Sequence, residues 1–94
     1  MEVAPRSCPV CDHLATVTDW GPQLDWVAVE GCACNGFFVW APLLDWRLPH
    51  LDQAEREALA ARIRSVRAMG HEAWLTSGLL GRLVILSERP DRPT

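Results

Sequence analysis

Four cysteines in two close pairs constrain the folding of this chain more than any other feature. The pairs are Cys8-Pro-Val-Cys11 and Cys32-Ala-Cys34, twenty residues lie between them, and the 94-residue chain contains no other cysteine. A tetrahedral zinc site can take two sulfurs from each of two turns, and a stretch of hairpin length brings such turns together. The sequence therefore predicts one metal site with Cys8, Cys11, Cys32 and Cys34 as ligands.

This arrangement resembles the zinc-ribbon, or rubredoxin-like, superfamily over about residues 7–44. The resemblance rests on the four cysteines and on Pro9 inside the first pair. It implies a structural Zn²⁺ and a scaffold rather than an activity, because most members use the metal structurally and few bind iron. Iron is the less favoured metal, since Asp12 replaces a glycine of iron-binding members and the second pair is one residue short of Cys-x-x-Cys.

Other interpretations of the four thiols remain open. They could hold iron for electron transfer, release zinc on oxidation, or form two disulfides. Disulfides require an oxidising compartment, and the N-terminus lacks the apolar segment of a signal peptide, so we expect a cytoplasmic protein that binds metal. His13 and His50 are possible substitute ligands, but with four cysteines available we expect both to be surface residues.

Three segments of the first half are rich in β-branched and aromatic residues and are bounded by glycine or proline. They cover residues 14–20, 25–30 and 37–41. Together with the two cysteine turns, these segments predict a small zinc ribbon of three short antiparallel strands. In such a module the metal replaces much of the hydrophobic core.

The second half changes to a helical period. Residues 53–69 are mostly good helix formers, Asp52 is a candidate N-cap with Glu55 at the third helical position, and Gly70 is placed for a left-handed C-cap. The helix has an apolar face whose members are three and four residues apart, namely Leu59, Ile63 and Val66.

Beyond the helix, residues 72–76 and 83–87 are predicted strands of a C-terminal β-hairpin. The expected fold class is therefore α+β, with the ribbon packed against one helix and this hairpin. The predicted divisions are an N-terminal arm (1–6), the zinc-ribbon module (7–44), a connector (45–51), the helix-plus-hairpin unit (52–87) and a flexible tail (88–94).

Charge disfavours nucleic acid as a partner. Residues 1–51 contain two arginines and six acidic residues, and a zinc bound by four thiolates adds a further net charge of about −2. Such a surface repels phosphate. All nine basic residues are arginine, which indicates codon bias in a GC-rich, bacterial genome. The longest apolar run is eight residues and contains Pro42, so no membrane span is predicted.

Five tryptophans in 94 residues suggest a docking surface, because tryptophan is enriched at interface hot spots. Trp20, beside a turn, and Trp46, in the connector, are the candidates for partner contact, whereas strand residues Trp26 and Trp40 could equally fill a thin core. Three arginines of the helix project within about one quadrant, namely Arg56, Arg64 and Arg67. They could bind an acidic partner or phosphate, although a solvated face of the helix is the favoured interpretation.

Catalysis finds little support in the sequence. It has neither a Gly-rich phosphate loop nor a serine–histidine pattern, and four equal thiolate ligands leave no open position on a metal. We therefore expect a non-enzymatic accessory or adaptor subunit that acts through protein–protein interaction. The alternatives are a nucleic-acid-associated regulator of transcription or of a mobile element, and a thiol redox or electron-transfer protein.

Overall fold

A single six-stranded sheet organises the fold, and its strands lie side by side in the order in which they occur along the chain. The computed structural model describes residues 1–21 and 25–89. The strands are β1 (Glu2–Ser7), β2 (Leu14–Asp19), β3 (Trp26–Glu30), β4 (Phe37–Trp40), β5 (Trp74–Ser77) and β6 (Leu83–Leu86).

All neighbouring strands are antiparallel except β4 and β5, which are parallel. Parallel neighbours need a crossover connection. This one contains helix α1 (Leu43–Trp46), a 3₁₀ turn (Leu48–His50) and helix α2 (Gln53–Ala68). The crossover therefore places the C-terminal hairpin directly beside the strands that carry the cysteine turns.

The α+β class is confirmed, but the predicted strand count and arrangement are wrong. The three predicted ribbon strands correspond to β2, β3 and β4, and the hairpin to β5 and β6, yet all five belong to one sheet. Strand β1 was not predicted, since Glu2, Pro5 and Arg6 are atypical of a strand interior. They are tolerated because β1 lies at an edge of the sheet.

The predicted connector (45–51) is also ordered, since it contains the last two residues of α1 and the 3₁₀ turn, while α1 itself begins at Leu43 in the predicted ribbon module. The division of the chain into separate units stays a prediction. Residues 90–94 of the predicted flexible tail lie outside the described residues, as does Pro22 of the predicted turn after residue 20.

Helix α2 begins and ends as its sequence predicts. The Asp52 carboxylate accepts a hydrogen bond from the Glu55 backbone N–H at 2.8 Å, and the Glu55 carboxylate accepts one from the Asp52 N–H at 3.1 Å. This reciprocal capping box satisfies two donors that the first turn leaves free. After Ala68 the chain turns at Gly70, whose φ of +85° is left-handed.

The main core lies between α2 and one face of the sheet, which we call the inner face. By strand register, Val29, Val39 and Leu75 point to this face, and each is fully buried. They share one cluster with residues of the crossover and with three of the cysteines, which are Leu43, Leu48, Leu59, Ile63, Cys8, Cys32 and Cys34. The cysteine turns are thus part of the core.

The opposite face of the sheet, the outer face, carries a separate aromatic cluster. Trp74 stacks on Phe38 with ring centroids 3.9 Å apart and meets Trp26 edge-on at 5.1 Å. Trp74 is 7% exposed, while Trp26 and Phe38 are half-buried. Offset or edge-on aromatic pairs of this kind add to the stability gained from burial alone.

None of the helices in the described residues has the length and apolar character needed to cross a membrane.

Candidate metal centre

The first cysteine turn connects β1 to β2 and is closed by its own backbone. The Cys8 N–H donates to the His13 carbonyl at 2.8 Å, and the Asp12 N–H donates to the Cys8 carbonyl at 3.0 Å. Inside the turn, the N–H groups of Val10 and Cys11 lie 3.4 and 3.5 Å from the Cys8 sulfur. Amides directed at a sulfur stabilise its thiolate form, which is the form that binds metal.

Asp12, directly after the first cysteine pair, has an uncommon backbone conformation for a non-glycine residue. Its φ is +64°, in the left-handed region. Aspartate and asparagine enter this region more readily than other non-glycine residues. The residue type at position 12 therefore suits the geometry of this turn.

The second cysteine turn connects β3 to β4 and carries Cys32 and Cys34. The Asn35 N–H donates to the Cys32 carbonyl at 3.1 Å, and Asn35 and Gly36 have φ of +69° and +93°. A Cβ on Gly36 would lie 3.4 Å from the carbonyl oxygen of Val29. Two successive left-handed residues thus return the chain into β4 directly after the shortened pair.

The two turns bring all four sulfurs together, each within 4.8 Å of the others. Tetrahedral coordination with Zn–S bonds of about 2.3 Å sets sulfur–sulfur distances of about 3.8 Å, so a small contraction completes the site. Cys8, Cys32 and Cys34 are buried, and Cys11 is half-buried. The four cysteines are therefore positioned to bind a metal ion, and four thiolates would fill its coordination sphere.

The two histidines considered as substitute ligands lie apart from this cluster. His13 is exposed, and its Nδ1 lies 2.9 Å from the carbonyl oxygen of Cys11, which it can reach as a donor. His50 is exposed in the 3₁₀ turn. Across residues 1–21 and 25–89, the cluster with metal-binding spacing consists of the four cysteines.

The pKa values of the cysteine thiols differ widely in the absence of metal. A hydrogen bond from the Cys34 thiol, assisted by the backbone amides and opposed by burial, lowers the pKa of Cys8 to about 5. The same hydrogen bond, together with burial, raises the pKa of Cys34 far above its usual value. Burial raises the pKa of Cys32 to about 11. A metal ion would therefore meet one thiolate at Cys8 and would displace protons from Cys32 and Cys34.

Arg67 joins α2 to the second cysteine turn. Its guanidinium donates to the carbonyl of Asn35 at 3.2 Å and to that of His71 at 3.2 Å. This contact was not predicted, because nothing in the sequence indicates that Arg67 would reach a residue 32 positions away; Arg67 was expected either to bind a partner or to lie on a solvated flank. Its role in a partner surface stays a prediction.

Arg56 and Arg64, the other predicted partner-binding arginines, lie on an open groove between α2 and the first cysteine turn. The groove has a volume of about 420 Å³ and also contains Cys11 and His13. Two acidic residues line it as well, Asp12 and Glu57. Its charge is therefore mixed rather than uniformly positive.

The two tryptophans predicted to contact a partner are exposed at the surface. Trp20 follows β2 and is 37% exposed, and Trp46 ends α1 and is 48% exposed. Trp26 and Trp40 are half-buried, as expected for residues that could serve either core or surface. The outer-face cluster around Trp74 was not foreseen, because it depends on the parallel pairing of β4 with β5.

Comparisons of the chain with protein-family models, with curated proteins and with solved structures find no match. The four-cysteine cluster is compatible with a zinc-ribbon-like site. The function of the chain has to be argued from its own residues.

Proposed function

We propose that this chain is a structural-zinc protein, cytoplasmic and bacterial, that acts as a small accessory or adaptor subunit in protein–protein interaction. The observation that carries the proposal is the closed cysteine cluster, in which three of four sulfur ligands are buried in the same core as the helix and the sheet. A closed tetrahedral site offers no open position for a substrate. The metal would therefore maintain the fold, and other surfaces would carry the function.

Zinc is the metal that these ligands fit best. Four cysteine sulfurs form a soft, tetrahedral donor set, which Zn²⁺ accepts without any redox role. Iron could occupy the same tetrahedron, but the second turn has one residue fewer than the iron-binding turns that it resembles. Mass spectrometry of the protein purified from its native host identifies the metal, and a red iron-containing protein would refute the assignment.

The surface favours a protein as the partner. Trp20 and Trp46 are exposed, and Trp26 and Phe38 on the outer face of the sheet are half-buried. The first half of the chain has a net charge of −4, and a zinc–tetrathiolate centre makes it more negative. Exposed aromatic side chains on an acidic surface are suited to docking on protein rather than on nucleic acid.

The docking proposal can be tested by affinity purification of the tagged chain from its native host. We expect a protein that copurifies with the wild type and is lost when Trp20 and Trp46 are both changed to alanine. Met69→Ala is the matched control, because Met69 is a large apolar residue that is 72% exposed elsewhere on the surface. Equal recovery of the same protein by all three chains would exclude these tryptophans as the docking residues.

A redox role for the thiols is the second candidate, and the exposure of Cys11 favours it. Cys11 is the half-buried member of the cluster, and it borders the open groove. An oxidant that converts two thiolates to a disulfide would release the metal. A zinc-sensitive dye would report such release within minutes at micromolar hydrogen peroxide, whereas a purely structural site would retain its metal over that time.

Nucleic-acid binding has weaker support. Arg56 and Arg64 share their groove with Asp12 and Glu57, which would repel phosphate. Salt-sensitive binding to generic DNA or RNA that weakens in an Arg56→Ala/Arg64→Ala variant would revive this alternative.

A further inference from the structure

The two edges of the sheet differ in their resistance to pairing with another strand. At one edge, β1 contains Pro5, which has no N–H to donate, and Glu2 and Arg6, which approach each other to 3.9 Å. Proline and charged side chains are common protections of an exposed edge. This edge is therefore a poor template for a further strand.

The other edge is formed by β6, which contains neither a proline nor a charged side chain. Its four residues are Leu83-Val-Ile-Leu86, and all are half-buried. Leu83 and Ile85 pack against the inner-face core, while Val84 and Leu86 alternate onto the outer face. Within the described part of the chain, β5 is the sole neighbour of β6. The backbone groups on the far side of β6 are thus available to another strand.

The residues that flank β6 are charged in a self-complementary way. Arg82 precedes the strand, Glu88 follows it, and both are exposed. In an antiparallel pairing about a two-fold axis at Ile85, the strand would continue through the bend at Ser87 and Glu88, which would bring Arg82 of each copy opposite Glu88 of the other. Between these ion pairs, Val84 faces Leu86 and Ile85 faces its own copy. This register also keeps inner-face residues opposite inner-face residues, as strand pairing requires.

We propose that two copies of this chain associate through antiparallel pairing of their β6 strands, which joins their sheets into one of twelve strands. Cross-strand apolar pairs and two ion pairs would stabilise the dimer. The paired segment is short, so the contact is smaller than a standard protein interface, and we expect a Kd on the order of 10–100 µM. The inference depends neither on the metal's identity nor on the adaptor role.

The test is sedimentation equilibrium of the full, metal-loaded chain between about 10 µM and 1 mM. We expect concentration-dependent dimers that weaken about tenfold in Arg82→Glu and in Glu88→Arg, because each change opposes like charges twice across the two-fold axis. The double variant Arg82→Glu/Glu88→Arg restores complementary charge and should recover the wild-type Kd. Arg62→Glu and Glu57→Arg, at exposed positions of α2, are controls with the same changes in net charge.

A further variant, Val84→Lys, places a charge on the β6 edge and should leave a folded monomer, with folding checked by circular dichroism. A wild-type chain that stays monomeric up to 1 mM overturns the proposal. It does so even if a strand of another protein is then found to pair with β6. If Arg82→Glu and Glu88→Arg both form dimers as strongly as the wild type, the proposed β6 register is wrong.

Discussion

At the scale of single residues, three non-glycine positions within residues 1–21 and 25–89 have a left-handed backbone, and they differ in what holds them there. Asp12 and Asn35 belong to the two cysteine turns, where their residue types suit the conformation. Leu80, with φ of +59°, lies in the loop between β5 and β6 and is fully exposed. An exposed leucine gains nothing from burial to offset the strain.

We therefore predict that Leu80→Asn stabilises the protein by about 0.5–1 kcal/mol, because asparagine tolerates the left-handed region better than leucine does. Urea denaturation of the metal-loaded protein at equilibrium measures the change. Leu79→Asn is the control, since Leu79 is 88% exposed and has no positive φ. A loss of stability in Leu80→Asn alone would show that Leu80 makes a stabilising contact in solution.

The uneven pKa values of the cysteines predict proton release when metal binds. At pH 7 the raised pKa values keep Cys32 and Cys34 protonated, whereas the pKa of Cys8, at about 5, leaves it a thiolate. Metal binding should therefore release at least two protons, one from Cys32 and one from Cys34. The apparent affinity for the metal should then fall about 100-fold or more per pH unit on acidification from pH 7.

Below pH 5 the fall should steepen, because the metal then also competes with a proton at Cys8. Calorimetric titration with Zn²⁺ in buffers of different ionisation enthalpy counts the protons. Release of fewer than two protons at pH 7 would show that Cys32 and Cys34 are not both protonated in the metal-free protein.

At the scale of elements, the connection between α2 and the second cysteine turn depends on Arg67. We predict that Arg67→Ala destabilises the metal-loaded protein by about 1–2 kcal/mol, since it removes two charge-assisted hydrogen bonds to backbone carbonyls. Zinc should also dissociate faster, because the turn that carries Cys32 and Cys34 loses its tie to the helix.

Chemical denaturation and the rate of zinc transfer to a chelator measure the two effects of Arg67→Ala. Arg62→Ala, at an exposed position of the same helix, should change neither quantity. Equal behaviour of the two variants would mean that the Arg67 hydrogen bonds contribute no net stability.

The elements that the sequence predicted well are those fixed by local signals. The capping box at Asp52 and the left-handed Gly70 lie within a few residues of the helix ends that they define. The cysteine pairs likewise identify their own turns. By contrast, β1 is a strand only because β2 pairs with it along its whole length, and its sequence alone, with Pro5 at its centre, provides no such signal.

The parallel pairing of β4 with β5 was equally beyond local reasoning. It joins residues 38 and 74 through a crossover of two helices, and each strand alone is equally compatible with a separate ribbon and hairpin. The outer-face aromatic cluster and the Arg67 contact both follow from this long-range arrangement. Local patterns therefore predicted the metal ligands, while the surfaces around them depend on topology.

At the scale of the whole molecule, the cysteines connect the candidate metal centre to both the helix and the sheet. Cys8, Cys32 and Cys34 are buried in a cluster that also includes Ile63 of α2 and Leu75 of β5. A chain of 94 residues has a limited core, so a bound metal can contribute a large share of its stability. Structural zinc contributes about 10–16 kcal/mol in small zinc-finger peptides, as much as the entire stability of a typical domain.

We therefore predict that metal removal destabilises the whole chain as one cooperative unit, including the β5–β6 hairpin, which carries no ligand. Hydrogen exchange should show that amides of β5 and β6 lose protection together with those of β2 and β3 when a chelator is added, and regain it with Zn²⁺. Cys8→Ser should mimic the chelated state. If β5 and β6 stayed protected after the cysteine turns had opened, the hairpin and α2 would form an independently stable unit.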